Sequence, residues 1–540
     1  LSYAFGDDEV VTIDLACDEK LPDEFIEALH DPKCLKVAHN AVFERRCFER
    51  IGIHTEISEW YCTSVKAAYC GLPLSLDAVS KRLDLVDKKL STGKALIKYF
   101  SCPCKATKIN GGRTRNYPMD APEKWAMYKE YNIYDVLSER EIYRKLEVYE
   151  IPDIERQLYV VDQRINDRGI MIDRQLAESA IYVDNTYSEY LINQAKQITH
   201  LENPKSPLQM RKWIEKTTGV QVDSLAKEVI ADVLEQVKDY PQVVEALDIY
   251  KKLSKTSIKK YYAMINCSTP DDRVRGTFQF YGANRTGRWA GRLLQLQNLS
   301  KNHFADIDTP RNLIRERDWE AADMLYGDVA DVLSQLVRTA LIAPKGYIYS
   351  VADFSAIEAR VISWLANEHW RMEVFRGDGK IYEATGSKLF GVPISAITKG
   401  SVLRDKSKIS ELALGYGGSL GALKRMGGEK MGLADAEMMS LVKKWRNANP
   451  AIVDMRGEIE KCAHEAVRYH RKVRGTCRNL IFDCDDKYFT IMLPSGRKLF
   501  YSNPHFKDKK IGRSTVPMRV LCYDGIIQET KQWMAEMRAE

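Results

Sequence analysis

Three stretches of the chain carry residue types whose spacing fits chemistry on a polyanion. The sharpest is Asp353-Phe354-Ser355-Ala356-Ile357-Glu358-Ala359-Arg360. The apolar run at residues 347–352 predicts a short strand that delivers Asp353 at its C-terminal end. A carboxylate there, with the Phe354 carbonyl as a second oxygen, suits a hard divalent cation. The same Asp would also suit the cap of the following helix. The second stretch holds Arg404, Lys408 and Tyr416-Gly417. At the helical increment, Arg404 and Lys408 lie about 40° apart and Tyr416 about 120° from Arg404, so all three share one broad face with Leu412 between them. Two cations one turn apart suit a triphosphate, and an aromatic beside them can stack on a base; a basic solvated face is the alternative. The third is Asn284-Arg285-Thr286-Gly287-Arg288, followed by Gln295-Leu296-Gln297-Asn298. Arginines around a glycine turn and a cluster of amides can follow phosphates and reach minor-groove acceptors.

Elements of two kinds must position these residues. The chain opens as a hairpin, with strand text to Phe5, a turn at Gly6-Asp7-Asp8-Glu9 and a second strand over Val10-Val11-Thr12-Ile13. Short strands and helices then alternate for about 150 residues, with helix dominant over 121–149, as an α/β domain requires. Long helical periodicity follows Ile151-Pro152 and runs to about Asn266, punctuated by Pro204-Lys205-Ser206-Pro207. Strand and turn text begins at Arg273, helices return over 358–465, and strand text resumes over 488–501 around the turn Leu493-Pro494-Ser495-Gly496.

Composition narrows the class. The 540 residues are 45% hydrophobic and 29% charged, which excludes disordered, collagenous and low-complexity chains and leaves room for three or four domains. No run of 18 apolar residues predicts a transmembrane helix, and the first residues do not read as a signal peptide. Twelve cysteines without a C-x-x-C pair point to a reducing, cytoplasmic compartment and away from a disulfide scaffold or a zinc site. Net charge is +6, yet between Lys251 and Lys301 eleven Lys/Arg face two Asp/Glu, so that stretch is +9 and the remainder about −3. Concentrated positive charge of this kind is the footprint of a polyanion site.

Together the three stretches resemble family A DNA polymerases, the DNA polymerase I-like group. The pattern D-x-S-x-x-E-x-R is matched by Asp353, Ser355, Glu358 and Arg360, and R-x3-K-x7-Y-G by Arg404, Lys408, Tyr416 and Gly417. The T-G-R and Q-N elements are matched by Thr286-Gly287-Arg288 and Gln297-Asn298, all in the family's order. The phrasing is most similar to the phage-type branch, as in Ser334-Gln335-Leu336-Val337-Arg338 and Leu493-Pro494-Ser495-Gly496-Arg497. The resemblance covers essentially the whole chain. It implies an α/β and α+β multidomain fold, with an RNase H-like 3′–5′ exonuclease domain over 1–150. A right-hand polymerase follows: the lead into the palm and the helical thumb over 151–270, palm over 271–365, fingers over 366–485, and the return towards the palm over 486–540.

The resemblance also implies roles. Template-directed transfer of a deoxynucleotide to a primer 3′-OH would use two Mg²⁺ ions, with Mn²⁺ as a substitute. Asp353 and the Phe354 carbonyl would hold metal, and Arg404 and Lys408 would grip the triphosphate, with Lys408 also a general acid. Glu358, Tyr416, Leu412 and Tyr382 would line the nucleotide, and Arg285, Thr286, Arg288, Gln297 and Asn298 would touch primer-template DNA. In the exonuclease, Glu44 after Asn40 resembles the second motif and Tyr131-x3-Asp135 the third, with Glu44 and Asp135 as metal carboxylates. Four departures stand out. The first exonuclease motif would precede Leu1, since Asp7-Asp8-Glu9 fits only in spacing. The His-Asp-Glu motif with the second polymerase carboxylate would follow Glu540. Leu412 stands where an aromatic is frequent, and Tyr382 where a His is frequent. A primer-template-binding chain without catalysis and a single-subunit RNA polymerase are the rival readings; Glu358 and the first domain argue against the latter.

Overall fold

The computed structural model describes residues 1–85, 93–226, 229–283, 286–510, 517–527, 530 and 532–538. It divides the chain into two compact units, Leu1–Arg156 with Ala283–Gly287 and Val351–Glu540, and Gln157–Gly282 with Arg288–Ser350. No helix among the described residues is long and apolar enough to cross a membrane.

The opening stretch of the first unit is the expected hairpin, with Ser2 opposite Thr12 and Tyr3 opposite Val11. Its turn holds Asp7 in an ion pair with Arg144. Lys36–Ala38 and Trp60–Cys62 pair in parallel, joined through the Val42–Arg50 helix. Parallel pairing needs such a crossover. Tyr3, Phe25, Phe48 and Trp60 stack ring to ring at 4.3, 5.8 and 6.2 Å and fill the space beneath these strands. The Pro122–Leu146 helix starts on a proline, whose missing N–H is no loss at a first turn. The Gly93–Ser101 helix crosses it so closely that a Cβ on Gly93 would lie 2.0 Å from the Tyr131 ring.

In the second unit the Arg174–Thr199 helix buries Leu176, Ala180, Val183, Tyr187, Leu191 and Ala195, a three-and-four spacing that makes one apolar stripe. Asp173 caps it by accepting from the Leu176 N–H at 3.0 Å, and the same carboxylate accepts from Arg311 at 2.7 Å and from Arg315. Ile170–Ile172 runs between Arg273–Val274 and Leu341–Ile342 in a small antiparallel sheet. Phe278–Ala283 and Arg288–Gly291 form a separate two-stranded ribbon.

The later part of the first unit is helical from Ile357 to Tyr469 and ends in a six-stranded sheet whose strands lie side by side in chain order. Tyr488–Met492 and Lys498–Lys509 pair around the expected turn. Tyr149 meets Tyr488 and Phe500 edge-on at 5.2 and 5.5 Å, and Tyr69 meets Phe500 at 5.4 Å. Gly71, at φ +74°, admits the Phe500 carbonyl, which a Cβ there would approach to 2.9 Å.

One expectation fails. Residues 347–352 join no sheet, and among the described residues no strand runs beside them. Ile348 and Val351 are 90% and 91% exposed. Apolar, β-branched text makes a strand only where a neighbour supplies the ladder and covers the face. Asp353 therefore follows irregular backbone.

The helices are tied at a buried ion pair. Arg371 and Glu411 have no appreciable solvent access and meet in a bidentate contact of 2.9 and 2.5 Å. The remaining valences are filled: Glu411 Oε1 also accepts from Thr385 Oγ1 at 2.7 Å and Trp445 Nε1 at 2.9 Å, while Arg371 donates to Ser363 Oγ at 2.8 Å and Asn449 Oδ1 at 3.0 Å. Breaking such a pair leaves a buried charge uncompensated. Glu411→Ala is expected to lower stability by about 3–5 kcal/mol, and Arg371→Met with Glu411→Leu to recover more than half of that. Urea unfolding followed by Trp fluorescence measures both; a single-variant loss below about 1 kcal/mol contradicts the account.

Candidate active sites

Glu411 belongs to the Val402–Leu414 helix, which also carries Arg404 and Lys408. Ser401 begins the helix by accepting from the Arg404 N–H at 3.3 Å. The Arg404 guanidinium is held from the neighbouring Ile381–Phe390 helix. Its Nε donates to Glu383 Oε1 at 2.6 Å, and its carbon lies 5.5 Å from the Tyr382 ring centre. Lys408, one turn on, is exposed and makes no ion pair among the described residues. Leu412 is half-buried.

Tyr416 departs from the expected helical face. The helix ends at Leu414, and Tyr416 stands in the turn beyond it, 65% exposed. Two things stop the helix. Gly417 takes φ +84°, the left-handed conformation that terminates helices. Arg456 Nη2 then satisfies the last carbonyls, Leu414 O at 3.2 Å and Gly415 O at 2.6 Å.

The Ile357–Ala366 helix begins after Ala356 at φ +49° and places Glu358 in its first turn. Arg360 folds back to donate to the Ser355 carbonyl at 2.8 Å and lies 4.5 Å over the Phe375 ring. Glu358 and Tyr382 are close enough to interact: burial, then the charges of Glu411, Glu358 and Glu383, pushes the Tyr382 phenol above its ordinary pKa, against Arg404. The structure thus brings Arg404 and Tyr382 together, with Glu358 near enough for its charge to act on the Tyr382 phenol. Asp353 and Phe354 are exposed, and no His, Cys, Asp or Glu group among the described residues could hold a metal as a set of three. One carboxylate and a carbonyl do not make a two-ion site, so the polymerase residues present do not by themselves fit the expected pair of ions.

In the glycine turn, Gly287 takes φ +68° and the Thr286 carbonyl accepts from Arg497 Nη1 at 2.8 Å. Arg285 lies outside the described residues. Arg288 is exposed, and the next side chain is anchored: Trp289 Nε1 donates to Asp162 Oδ1 at 2.8 Å. Burial raises the Asp162 pKa to about 6, against hydrogen bonds from Trp289, Gln163 and Asn166. Asn166 then clamps the ribbon by bonding both the N–H and the carbonyl of Phe278, at 2.9 and 3.0 Å. Gln297 and Asn298 are exposed on the turn Leu296–Asn298, and Gln297 lies so near the ribbon that a Cβ on Gly291 would meet its Oε1 at 2.0 Å.

The opening stretch gathers a second acidic site. Glu44 sits in the first turn of its helix, following Asn40 at φ +76°. Tyr131 and Asp135 share a hydrogen bond on the long helix, and burial with the Asp135 charge drives the Tyr131 phenol strongly upwards. Burial and the charge on Asp135 raise the Glu44 pKa to about 7. Glu139 belongs to the same group: burial, then the charge on Glu44, raises it well above the ordinary range, against a hydrogen bond from the His39 N–H and with Asp135 adding to the rise. Sequence reading missed Glu139. Its signal was the step of four from Asp135, which puts both on one helix face. Glu44 Oε2 is buried with no hydrogen-bond partner. Mutual repulsion and an orphaned oxygen are what a divalent cation would offset, although these carboxylates do not form a ready set of three metal ligands as they stand.

Comparison with known proteins identifies the family. A family profile described as DNA polymerase family A matches residues 176–481, more than half of the chain. The DNA polymerase of Bacillus phage SP02 is 47% identical over 532 residues, 98% of this chain and 81% of that protein. DNA polymerase I of Pseudomonas aeruginosa is 26% identical over 294 residues, 52% of this chain and 28% of that protein. Among solved structures, the POL domain of Pol1 from M. smegmatis, in complex with DNA primer-template and dNTP, superposes with a TM-score of 0.53 at 14% identity, covering 88% of this chain and 70% of that one. Matched by the family profile over most of its later two thirds and by a phage polymerase almost end to end, the chain belongs to DNA polymerase family A.

Proposed function

We propose that the chain adds deoxynucleotides to a primer 3′-OH on a DNA template, and that residues 1–150 form a proofreading 3′–5′ exonuclease. The observation that carries the first reading is the fixed placement of Arg404 one turn from exposed Lys408, with Tyr382 and Glu358 alongside. Arg404 and Lys408 bind the triphosphate as a rigid fork and a mobile point charge. The 3′-hydroxyl loses its proton to solvent as its oxygen bonds the α-phosphorus and the bond from that phosphorus to the bridging β-phosphate oxygen breaks, and Lys408 gives a proton to the leaving pyrophosphate and regains one from water. Tyr416 stacks on the base, Leu412 fills the helix face behind it, and Glu358 forms the wall against the sugar. Arg288, Gln297 and Asn298 meet the minor groove, with Arg285 and Thr286 beside the backbone. Mg²⁺, or Mn²⁺, supplies charge neutralisation and water activation in such enzymes. In the exonuclease Glu44 and Asp135 would be two of the carboxylates that hold a cation, and Tyr131 would orient the attacking water. Palm, fingers and thumb boundaries near 270, 365 and 485, and work in a host cytoplasm, belong to the same reading.

Asp353→Asn should lower primer extension on the order of a thousandfold while leaving duplex affinity nearly unchanged. Extension assays with binding measured in parallel test this; activity within about tenfold of wild type contradicts the assignment. Duplex binding without extension in the unaltered chain would favour the binding-only reading instead.

Glu358→Ala should raise ribonucleotide use relative to deoxyribonucleotide, because a shaped wall rejects an added hydroxyl better than an apolar pocket does. Equal loss for both sugars would reduce Glu358 to a carboxylate at a helix N-terminus, worth about 0.3–1 kcal/mol of stability.

Asp135→Ala should abolish release of mononucleotides from single-stranded 3′ ends and spare extension. Unchanged hydrolysis in that variant would remove the second activity from the proposal.

A further inference from the structure

Between Gly93 and Met119 the chain carries Lys94, Lys98, Lys105, Lys108, Arg113 and Arg115 and no Asp or Glu. This is a second cationic stretch, separate from the one at 251–301. It consists of the Gly93–Ser101 helix and the loop that returns to Pro122–Leu146. Lys94 and Lys98 lie one turn apart on the exposed face of the helix. In the loop, Lys105, Lys108 and Arg115 are exposed and make no ion pair among the described residues. The cation that is paired is Arg113, 3.4 Å from Asp120.

The loop is built. Asn110 ties it from inside: its Oδ1 accepts from the N–H groups of Thr107 at 2.8 Å and Gly112 at 3.2 Å, and its Nδ2 donates to the carbonyls of Lys105 at 2.9 Å and Arg113 at 3.1 Å. Backbone bonds close it, Cys104 N–H to Thr114 O at 2.7 Å and Gly112 N–H to Thr107 O at 2.9 Å. Asn116 pins its return by donating to the Tyr99 carbonyl at 2.9 Å. All this order presents an apolar tip to solvent: Ile109 is wholly exposed, and Tyr117 is half-exposed with the Arg115 guanidinium 5.9 Å over its ring. An ordered loop that leaves Lys105 and Lys108 without an ion pair and Ile109 and one face of Tyr117 in the open gains little in folding from them. Such cations and such a ring are what single-stranded nucleic acid uses, cations along phosphates and rings under bases.

We propose that this loop and the outer face of the Gly93–Ser101 helix bind single-stranded DNA and lead a 3′ end towards Tyr131. This deepens, and rests on, the exonuclease reading of the first domain. Gly93 touches the Tyr131 ring, so the helix that carries Lys94 and Lys98 ends against that residue. The helix is about 12 Å from end to end, and the rise from Pro122 to Tyr131 is about 13 Å, which spans about four stacked nucleotides. Because the loop is already ordered, binding loses little conformational freedom in it.

The test is fluorescence anisotropy of a fluorescein-labelled oligothymidylate of about 15 nucleotides with the full chain in EDTA, where no hydrolysis intervenes. Lys105→Glu with Lys108→Glu and Arg115→Glu should weaken binding at least tenfold and reduce the salt slope by about 2, the value for three lost phosphate contacts on a single strand. The control triple Lys20→Glu, Lys33→Glu and Arg50→Glu makes the same charge change on exposed sites of the same domain and should stay within twofold. Tyr117→Ala alone should weaken binding at least fivefold. Unchanged affinity in the loop triple, including the case where it instead loses anionic vesicles or an acidic protein, overturns the proposal. So does an equal loss in the control. Loss of binding in the loop triple together with unchanged hydrolysis in Asp135→Ala would retain the strand-binding loop and remove the exonuclease.

Discussion

The buried Arg371–Glu411 pair sets the terms for the helical part of this chain that carries Arg404 and Lys408. Two charges removed from water are unfavourable unless every donor and acceptor around them is satisfied. Here four further side chains from neighbouring segments complete the set, so each of those segments is held in register with Glu411. Glu411 lies seven residues after Arg404 and three after Lys408 on one helix. Holding it fixes the rotation of that helix, and with it the direction of both cations. Arg456 fixes the far end of the same helix through its last carbonyls. The face that carries Arg404 and Lys408, proposed to bind the triphosphate, is thus preorganised by core electrostatics, which would lower the entropy lost when an anion arrives.

Charge is handled in opposite ways at the two candidate centres. Arg404 keeps a carboxylate, Glu383, in direct contact, so an incoming triphosphate exchanges one anionic partner for a stronger one. Around Glu44, Asp135 and Glu139 like charges crowd at half-buried positions, where burial and the neighbouring carboxylates raise the pKa of both glutamates. The first arrangement is stable without ligand. The second stores repulsion that a cation would relieve, which is the pattern of a site shaped for something it binds.

Much of this was legible in the sequence. Arg404 and Lys408 share a face because helical spacing leaves no other option, and the opening hairpin, the long helix over Tyr131 and Asp135 and the turn at 493–496 follow from period and turn residues. What the sequence could not show was pairing between distant segments. Residues 347–352 have the composition of a strand, but strand formation is a property of two segments, and none of the described chain supplies the second. Tyr416 fell off its helix because Gly417 and Arg456 end the helix first, and Arg456 is forty residues away in sequence. Glu139 carries no local signal beyond its step of four from Asp135, and its link to Glu44 lies on another helix. Arg371 was one arginine among many, with nothing local to mark it as buried.

These differences divide the polymerase residues by how they are held. Arg404, Tyr382 and Glu358 stand on helices whose far faces are packed or hydrogen-bonded, so their geometry is a consequence of the core. Asp353 and Phe354 stand on backbone that donates to no ladder, and their position is set only by the helix that starts at Ile357 and by Arg360 bonding back to Ser355. Affinity for the nucleotide's phosphates can therefore exist independently of the geometry that chemistry requires. A metal carboxylate needs a ligand set held to within fractions of an ångström, and that precision comes from rigid elements on both sides. In this chain the proposed grip on the nucleotide is built into the helical core, whereas the Asp353 carboxylate follows backbone that no ladder among the described residues holds.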